Sequence, residues 1–229
     1  MQRIGVLGGL GPQATMDFER RVHRISLDHL PSRGNTGYPP MVVYYLRHPP
    51  VLTTEDGLPL LPMQADPRLF EAARTLGTCA DFLVITANAP HLFAAQIAEA
   101  AGIDVLSMID VTVQEVQQRG WQRVGLLGLG EPRVYEVPLD ALGIAYSVIP
   151  SAARERLDQA IFSLQEGREG DDDRQAATEA VEILRRRGVE GIVLGCTELP
   201  LLLGEGAEAP DLVNPTELLA EAAVRRAVG

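Results

Sequence analysis

The sequence contains no lysine, and all 20 of its basic residues are arginine. Schiff-base chemistry is therefore excluded, because it needs a lysine amine. A P-loop for nucleoside triphosphates is excluded for the same reason. The net charge is −11, so nucleic acids and anionic membranes are poor partners. These absences leave small molecules as the expected ligands.

Cysteine and histidine are also scarce. The two cysteines, Cys79 and Cys196, are too few for a disulfide framework, and neither lies in a C-x-x-C pattern. The four histidines lack a metal-ligand spacing such as H-E-x-x-H, and they are His23, His29, His48 and His91. We therefore expect a protein without a metal and without a cofactor.

Long hydrophobic runs are missing as well. The longest apolar stretches are far shorter than a membrane span. The amino terminus enters a predicted strand without the pattern of a signal peptide. With 229 residues, 46% of them hydrophobic, the chain can bury a core as one large domain or two smaller ones. We expect a cytoplasmic globular protein.

An internal repeat is the most informative feature that is present. Residues 3–12 (R-I-G-V-L-G-G-L-G-P) resemble residues 123–132 (R-V-G-L-L-G-L-G-E-P), and residues 80–85 resemble residues 189–194. Each half alternates short apolar strands with amphipathic helices, which is typical of a parallel sheet. The sequence thus predicts an α/β fold of two pseudo-symmetric domains, each with a mostly parallel sheet flanked by helices.

The repeat also predicts the domain boundaries. The amino-terminal domain should cover residues 1–110 and the carboxy-terminal domain residues 111–215, while the final helix, about 216–229, can pack back on the first domain. Ligands of open α/β sheets bind beyond the carboxyl ends of the strands. The active site is therefore expected in the cleft between the two domains.

Cys196 follows a predicted buried strand, Gly191 to Leu194, at its carboxyl end. A free cysteine is often just a small buried hydrophobic residue. The position at a strand end, the following Thr197 and the repeat together favour a functional role. Aligning the two repeats places Ala87 where the second half has Cys196.

A glycine turn follows the first strand, with Gly9 and Gly11 at its centre. It resembles a dinucleotide-binding fingerprint, but Ala14 stands where the third glycine of G-x-G-x-x-G belongs. We therefore predict that the turn presents backbone N–H groups to a carboxylate and not to a nucleotide.

Three segments together resemble the aspartate/glutamate racemase superfamily: Ile4 to Thr15, Asn88-x-x-His91, and Gly195-Cys196-Thr197-Glu198. The resemblance implies a cofactor-independent homodimer that binds an acidic amino acid between its domains. It also implies two cysteines flanking the α-carbon: one thiolate removes the proton and the other thiol delivers one. Thr197 and backbone N–H groups could lower the pKa of the Cys196 thiol, whereas Glu198 opposes this unless it turns away or receives a substrate ammonium.

This sequence departs from the family pattern at Ala87, because relatives commonly carry C-N-T-A-H where this chain has A-N-A-P-H. Four interpretations follow. Cys196 could be a single thiol base or acid in a weak or biased racemase, with the opposite proton coming from water, His91 or Thr86. The enzyme could instead resemble arylmalonate decarboxylase, with Cys196 as proton donor. The protein could bind a carboxylate or amino acid without turnover, or Ala87 could be an engineered replacement.

The candidate site residues follow from these interpretations. The catalytic candidates are Cys196, His91 and Ala87, the position of the missing cysteine. The candidates for binding a substrate carboxylate are Gly9, Gly11, Thr15, Arg47, Asn88, Ala89, Arg156, Thr197 and Glu198.

Overall fold

The computed structural model describes residues 1–31, 34, 36–53, 60, 62–130 and 132–229. The chain forms two compact units. Unit 1 comprises Met1–Met108 and Thr216–Gly229, and unit 2 comprises Ile109–Pro215. Each unit contains a four-stranded parallel sheet flanked by helices. The predicted α/β fold class is confirmed.

The strands of the described segments lie in two sheets with orders β2-β1-β3-β4 and β6-β5-β7-β8. Their bounds are β1 (Ile4–Gly8), β2 (Met41–Tyr45), β3 (Phe82–Ile85), β4 (Val105–Leu106), β5 (Arg123–Leu127), β6 (Ala145–Val148), β7 (Gly191–Leu194) and β8 (Leu212–Val213).

The helices of the described segments are α1 (Pro12–His29), α2 (Pro67–Gly77), α3 (Ala94–Ala101), α4 (Met108–Gln118), α5 (Glu136–Ala141), α6 (Ser151–Gln165), α7 (Asp171–Arg186), α8 (Leu199–Leu203) and α9 (Pro215–Val228). Short 3-10 turns lie at Ala89–Phe93, Arg133–Tyr135 and Gly204–Glu208. None of these described helices has the length and apolar character needed to cross a bilayer.

The sheet of unit 1 is buried on both faces. Side chains alternate across a strand, so Ile4 and Val6 pack with α1 and α9, whereas Leu7 packs with α2 and α3. In α9 this packing buries Leu219 and Val224 completely. Residues 216–228 are therefore part of the core of unit 1.

The core of unit 2 follows the same principle. Leu127, Ile192 and Leu194 pack against apolar side chains of α6, α7 and α8, including Leu157 and Leu184. The registers of β5 and β7 pair Leu127 with Leu194. The chain leaves both strands at the same edge of the sheet, and Cys196 lies just beyond it.

The two halves of the repeat share one further detail. At the start of β1, the Arg3 N–H donates to the Asp81 carboxylate (2.5 Å). At the start of β5, the Arg123 N–H donates to Glu190 in the same way (2.8 Å). Asp81 directly precedes β3, and Glu190 directly precedes β7. The sequence repeat is thus a repeat of local hydrogen bonding as well.

Two helix assignments differ from the sequence-based expectation. The polar, glycine-containing sequence of residues 167–173 favours a solvated loop, yet α7 begins at Asp171. The Gly170 N–H donates to Asp173 (2.9 Å), which satisfies one of the free amides at the helix start. The short helix α5 was not expected, because Pro138 lies within its six residues.

A buried ion-pair network connects α1 to α9 within unit 1. The Arg21 guanidinium donates to Asp17 (2.7 Å) and to Glu217. The Arg21 and Asp17 side chains are only 8% and 2% exposed. Arg20 also contacts Asp17, but its side chain is 72% exposed. Buried ion pairs are costly to break because the remaining charge stays desolvated.

We expect Arg21→Met to lower the free energy of unfolding by about 3 kcal/mol, because it leaves Asp17 buried with less compensation. Arg20→Met makes the same chemical change at an exposed partner of the same carboxylate, and should cost less than about 1 kcal/mol. Urea denaturation monitored by circular dichroism measures both variants. Equal losses would contradict the assigned difference.

Candidate active site

In the segment after β7, the backbone of Gly195 lies close to the end of β5 and to the Tyr135 ring. A side-chain carbon on Gly195 would lie 2.8 Å from the Leu127 carbonyl oxygen and 3.1 Å from the Tyr135 ring, so only glycine fits. Cys196, Thr197 and Glu198 follow at 9%, 4% and 2% exposure. The sequence placed these three residues together at a strand end, and the structure buries all of them.

The Cys196 thiol donates a hydrogen bond to Glu198 Oε2 at a distance of 3.0 Å. Burial and the charge of Glu198 raise the pKa of the Cys196 thiol well above its ordinary range. Backbone N–H groups of Glu198 and Leu129 act in the opposite direction, but they do not outweigh these two effects. The resting form of Cys196 is therefore the protonated thiol.

This arrangement differs from the expectation that Thr197 lowers the pKa of the Cys196 thiol. The Thr197 hydroxyl donates to Glu198 Oε2 (3.0 Å). Glu198 is turned towards the sulfur, and its other oxygen accepts from the Gln165 amide (3.0 Å). With both oxygens hydrogen-bonded inside unit 2, Glu198 is poorly suited to receive a substrate ammonium.

The turn after β5 supplies one of the N–H groups near the sulfur. Asp158 of α6 accepts from the Gly130 N–H at 2.8 Å. This bond fixes the turn from which the Leu129 N–H is directed at Cys196. Burial is the main cause that raises the pKa of Asp158. Sequence reasoning did not single out Asp158, because its partner is 28 residues away along the chain.

Tyr135 lies behind the Cys196 segment and is completely buried. Its hydroxyl is hydrogen-bonded to the Thr112 side chain, and burial raises its pKa. The ring packs where Gly195 lacks a side chain. Tyr135 therefore acts as a packing residue behind the Cys196 segment.

In unit 1, Ala87 follows β3 and the buried Thr86. The Thr86 hydroxyl is 2.8 Å from the Thr15 hydroxyl. Thr15 also accepts from the Gly9 N–H (2.9 Å) and is completely buried. The polar groups of Gly9 and Thr15 thus bind each other, and their carboxylate-binding roles stay predictions.

The glycine turn has a structural explanation. Gly9 has φ +76°, and a side-chain carbon there would lie 2.8 Å from the Leu46 nitrogen. The Gly11 carbonyl accepts from the Thr15 N–H at 3.1 Å. The turn thus packs tightly against the end of β2 and starts α1. Carboxylate binding by Gly11 stays a prediction.

The His91 ring is fixed by backbone groups on both sides. Its Nε2 accepts from the Met108 N–H (3.1 Å), so Nδ1 carries the proton and faces the Ala87 carbonyl (2.9 Å). The Asn88 carbonyl lies 3.2 Å from the same nitrogen. A ring held in this way positions the Ala87 turn. It does not support His91 as the source of the second proton.

Asn88 and Ala89 complete that turn. Asn88 is 6% exposed, and its carbonyl accepts from the His91 N–H at 3.0 Å. Ala89 is exposed and begins the 3-10 turn. Both residues lie at the carboxyl end of β3, so their predicted contact with a substrate carboxylate remains open to test.

The two candidate arginines are both exposed. Arg47 follows β2, and its guanidinium lies 4.7 Å from the centroid of the Tyr45 ring. Arg156 pairs with Glu179 of α7 (2.7 Å), and both side chains are well exposed. The surface ion pair of Arg156 does not support the predicted role as a carboxylate clamp.

The donor set was also compared with the needs of metal ions. In the described part of the chain, no group of three His, Cys, Asp or Glu side chains could hold a metal.

The family model for Asp/Glu/Hydantoin racemases matches residues 7–223. The chain belongs to this family of racemases and isomerases. The family membership predicted from the three sequence segments is confirmed. A relative from Pectobacterium carotovorum subsp. carotovorum, known as the uncharacterized protein in the pnlA 3′ region, is 32% identical over 107 residues. That match covers 44% of this chain and 68% of the relative.

Three solved structures show the same fold. The aspartate racemase of Picrophilus torridus aligns with TM-score 0.78 and 20% identity, covering 100% of this chain and 95% of its own. An aspartate racemase homologue from Pyrococcus horikoshii OT3 gives TM-score 0.75 and 23% identity, with both chains covered completely. A mutant of the maleate cis-trans isomerase from Nocardia farcinica aligns with TM-score 0.61 and 15% identity. That alignment covers 99% of this chain and 92% of the isomerase chain.

We predict that Glu198→Gln lowers the pKa of the Cys196 thiol, because it removes the negative charge beside the sulfur. In a Cys79→Ser background, iodoacetamide should then alkylate Cys196 about tenfold faster at mildly alkaline pH. Glu205→Gln removes an exposed charge from a nearby segment and serves as the matched control. An unchanged rate for Glu198→Gln would contradict the assigned electrostatics.

Proposed function

We propose that this chain is a cofactor-independent racemase-type enzyme that acts at the α-carbon of an acidic amino acid, with Cys196 as its single thiol acid or base. The observation that carries the proposal is a buried thiol at the end of β7, hydrogen-bonded to Glu198, in a chain of the racemase family. The substrate class rests on the family and on the aspartate racemases among the structural neighbours.

In this mechanism, Cys196 exchanges a proton with only one face of the substrate α-carbon. In the thiolate form, Cys196 removes the α-proton and becomes a thiol, while the substrate becomes an enediolate. Return of the proton from Cys196 regenerates the same enantiomer. Delivery to the opposite face needs a second donor, and Ala87 has no proton to give. Because Thr86 and His91 are engaged within unit 1, water is the proposed second donor.

This scheme predicts a particular order of rates. For one enantiomer, exchange of the α-proton with solvent should be faster than racemisation, because exchange uses Cys196 alone. Proton removal needs the thiolate, whose fraction is small below the raised pKa of Cys196. The exchange rate should therefore keep rising with pH beyond the ordinary thiol range.

The test is α-proton exchange in D₂O, followed by NMR with L- and D-aspartate and L- and D-glutamate. Cys196→Ala should reduce exchange by about 100- to 10,000-fold, the usual contribution of an acid–base group. Cys79→Ser removes the other thiol and should leave the rate unchanged. If no candidate amino acid exchanges its proton in the unmodified protein, the racemase proposal is wrong.

Restoring the missing thiol gives a second prediction. Ala87→Cys should increase racemisation at least about tenfold relative to exchange, because it supplies a proton on the other side. Leu92→Cys places a thiol at an exposed position of the following 3-10 turn and should not increase racemisation. Circular dichroism or polarimetry of the amino acid measures racemisation. Equal behaviour of the two variants would argue against the role assigned to position 87.

A second candidate function is favoured by the protonated state of Cys196. A decarboxylase similar to arylmalonate decarboxylase needs only one proton donor after loss of CO₂. The Cys196 thiol, hydrogen-bonded to Glu198, meets that need. Release of CO₂ from a disubstituted malonate, without α-proton exchange of free amino acids, would support this function. Thermal stabilisation by these ligands with neither activity would indicate a binding protein.

A further inference from the structure

The Glu198 carboxylate is held on both of its oxygens. Oε2 accepts from the Cys196 thiol and the Thr197 hydroxyl, each at 3.0 Å. Oε1 accepts from the Gln165 amide at 3.0 Å. An ionised carboxylate offers acceptor atoms only, and these three donors match it. Glu198 thus makes three hydrogen bonds while it is 2% exposed.

Gln165 differs from the other two partners in its origin. Cys196 and Thr197 belong to the same segment as Glu198, whereas Gln165 is the last residue of α6 and lies 33 positions earlier. A carboxyl group is planar, so a bond to Oε1 from outside the segment also sets the direction of Oε2. The Gln165 amide thereby aims Oε2 at the sulfur.

We propose that Gln165 is a positioning residue that holds the Glu198 carboxylate turned towards Cys196, so that the thiol keeps its proton until it meets the reacting carbon. This inference rests on the acid–base role of Cys196 proposed above. It adds that the site is set for proton delivery: the resting enzyme holds a proton donor on this face, and thiolate must be generated before a proton can be removed.

The chemistry balances in the following way. When the S–H bond of Cys196 breaks, a C–H bond forms at the substrate carbanion and the sulfur becomes a thiolate. The thiolate then lies beside the ionised Glu198, and like charges at this distance repel strongly in a buried site. A proton from water returns to the sulfur and restores the resting state. The network thus favours recovery of the donor form.

The test is a pH titration of Cys196, read from the NMR signal of cysteine labelled at Cβ in a Cys79→Ser background. Gln165→Met keeps the length of the side chain but removes the donor. Glu198 Oε1 then loses its partner from α6, the carboxylate can rotate, and its negative charge moves away from the sulfur. We expect the midpoint of the Cys196 titration to fall by about one pH unit.

Two controls separate this role from packing. Gln159→Met makes the same change at an exposed position of α6 and should leave the midpoint in place. In a Glu198→Gln background, Gln165→Met should have no further effect, because its action passes through the carboxylate. An unchanged midpoint in Gln165→Met, or an equal shift in both backgrounds, would overturn the proposal.

The titration is independent of turnover, so it remains decisive if the racemase proposal fails. In an active enzyme, a second reading is available. Gln165→Met should change kcat and its pH profile with little change in KM, because Gln165 acts on the thiol and not on substrate binding. A change confined to KM would contradict a positioning role.

Discussion

The proposed chemistry depends on a hydrogen bond between two buried side chains, from the Cys196 thiol to the Glu198 carboxylate. A carboxylate beside a thiol makes the loss of the thiol proton unfavourable, and burial adds to the same effect. Gly195 makes the arrangement possible, because a larger residue would collide with the Leu127 carbonyl and the Tyr135 ring. The fold thus places a proton donor, and not a ready nucleophile, at the end of β7.

The internal repeat has diverged at the positions that follow the equivalent strands. Both units keep the same strand order and the same hydrogen bond at the start of the first strand. Beyond β7 the chain has a thiol and a carboxylate, whereas beyond β3 it has the hydroxyl of Thr86 and then Ala87. The framework is repeated, but the thiol that follows β7 has an alanine as its counterpart after β3.

Sequence patterns predicted the family, the fold class and the strand-end position of Cys196, because apolar periodicity and glycine spacing depend on neighbours along the chain. They could not predict the direction of Glu198, which is set by Gln165 through the packing of α6. They could not predict the partners of the His91 ring either, because its two nitrogens face the backbone of Ala87 and of Met108. Contacts between distant residues require the packed structure.

The position of α9 in the core of unit 1 bears on how the chain is made. Unit 1 is discontinuous, since residues 109–215 form unit 2 before Thr216–Gly229 return to it. Leu219 and Val224 cover Ile4 and Val6 of β1 only after that return. On the ribosome, the face of β1 that carries Ile4 and Val6 can pack with α1 but lacks its α9 contacts until unit 2 has been synthesised. The core around the earliest strand is thus completed last, and the apolar surface that α9 covers stays exposed until then, which favours aggregation in that interval.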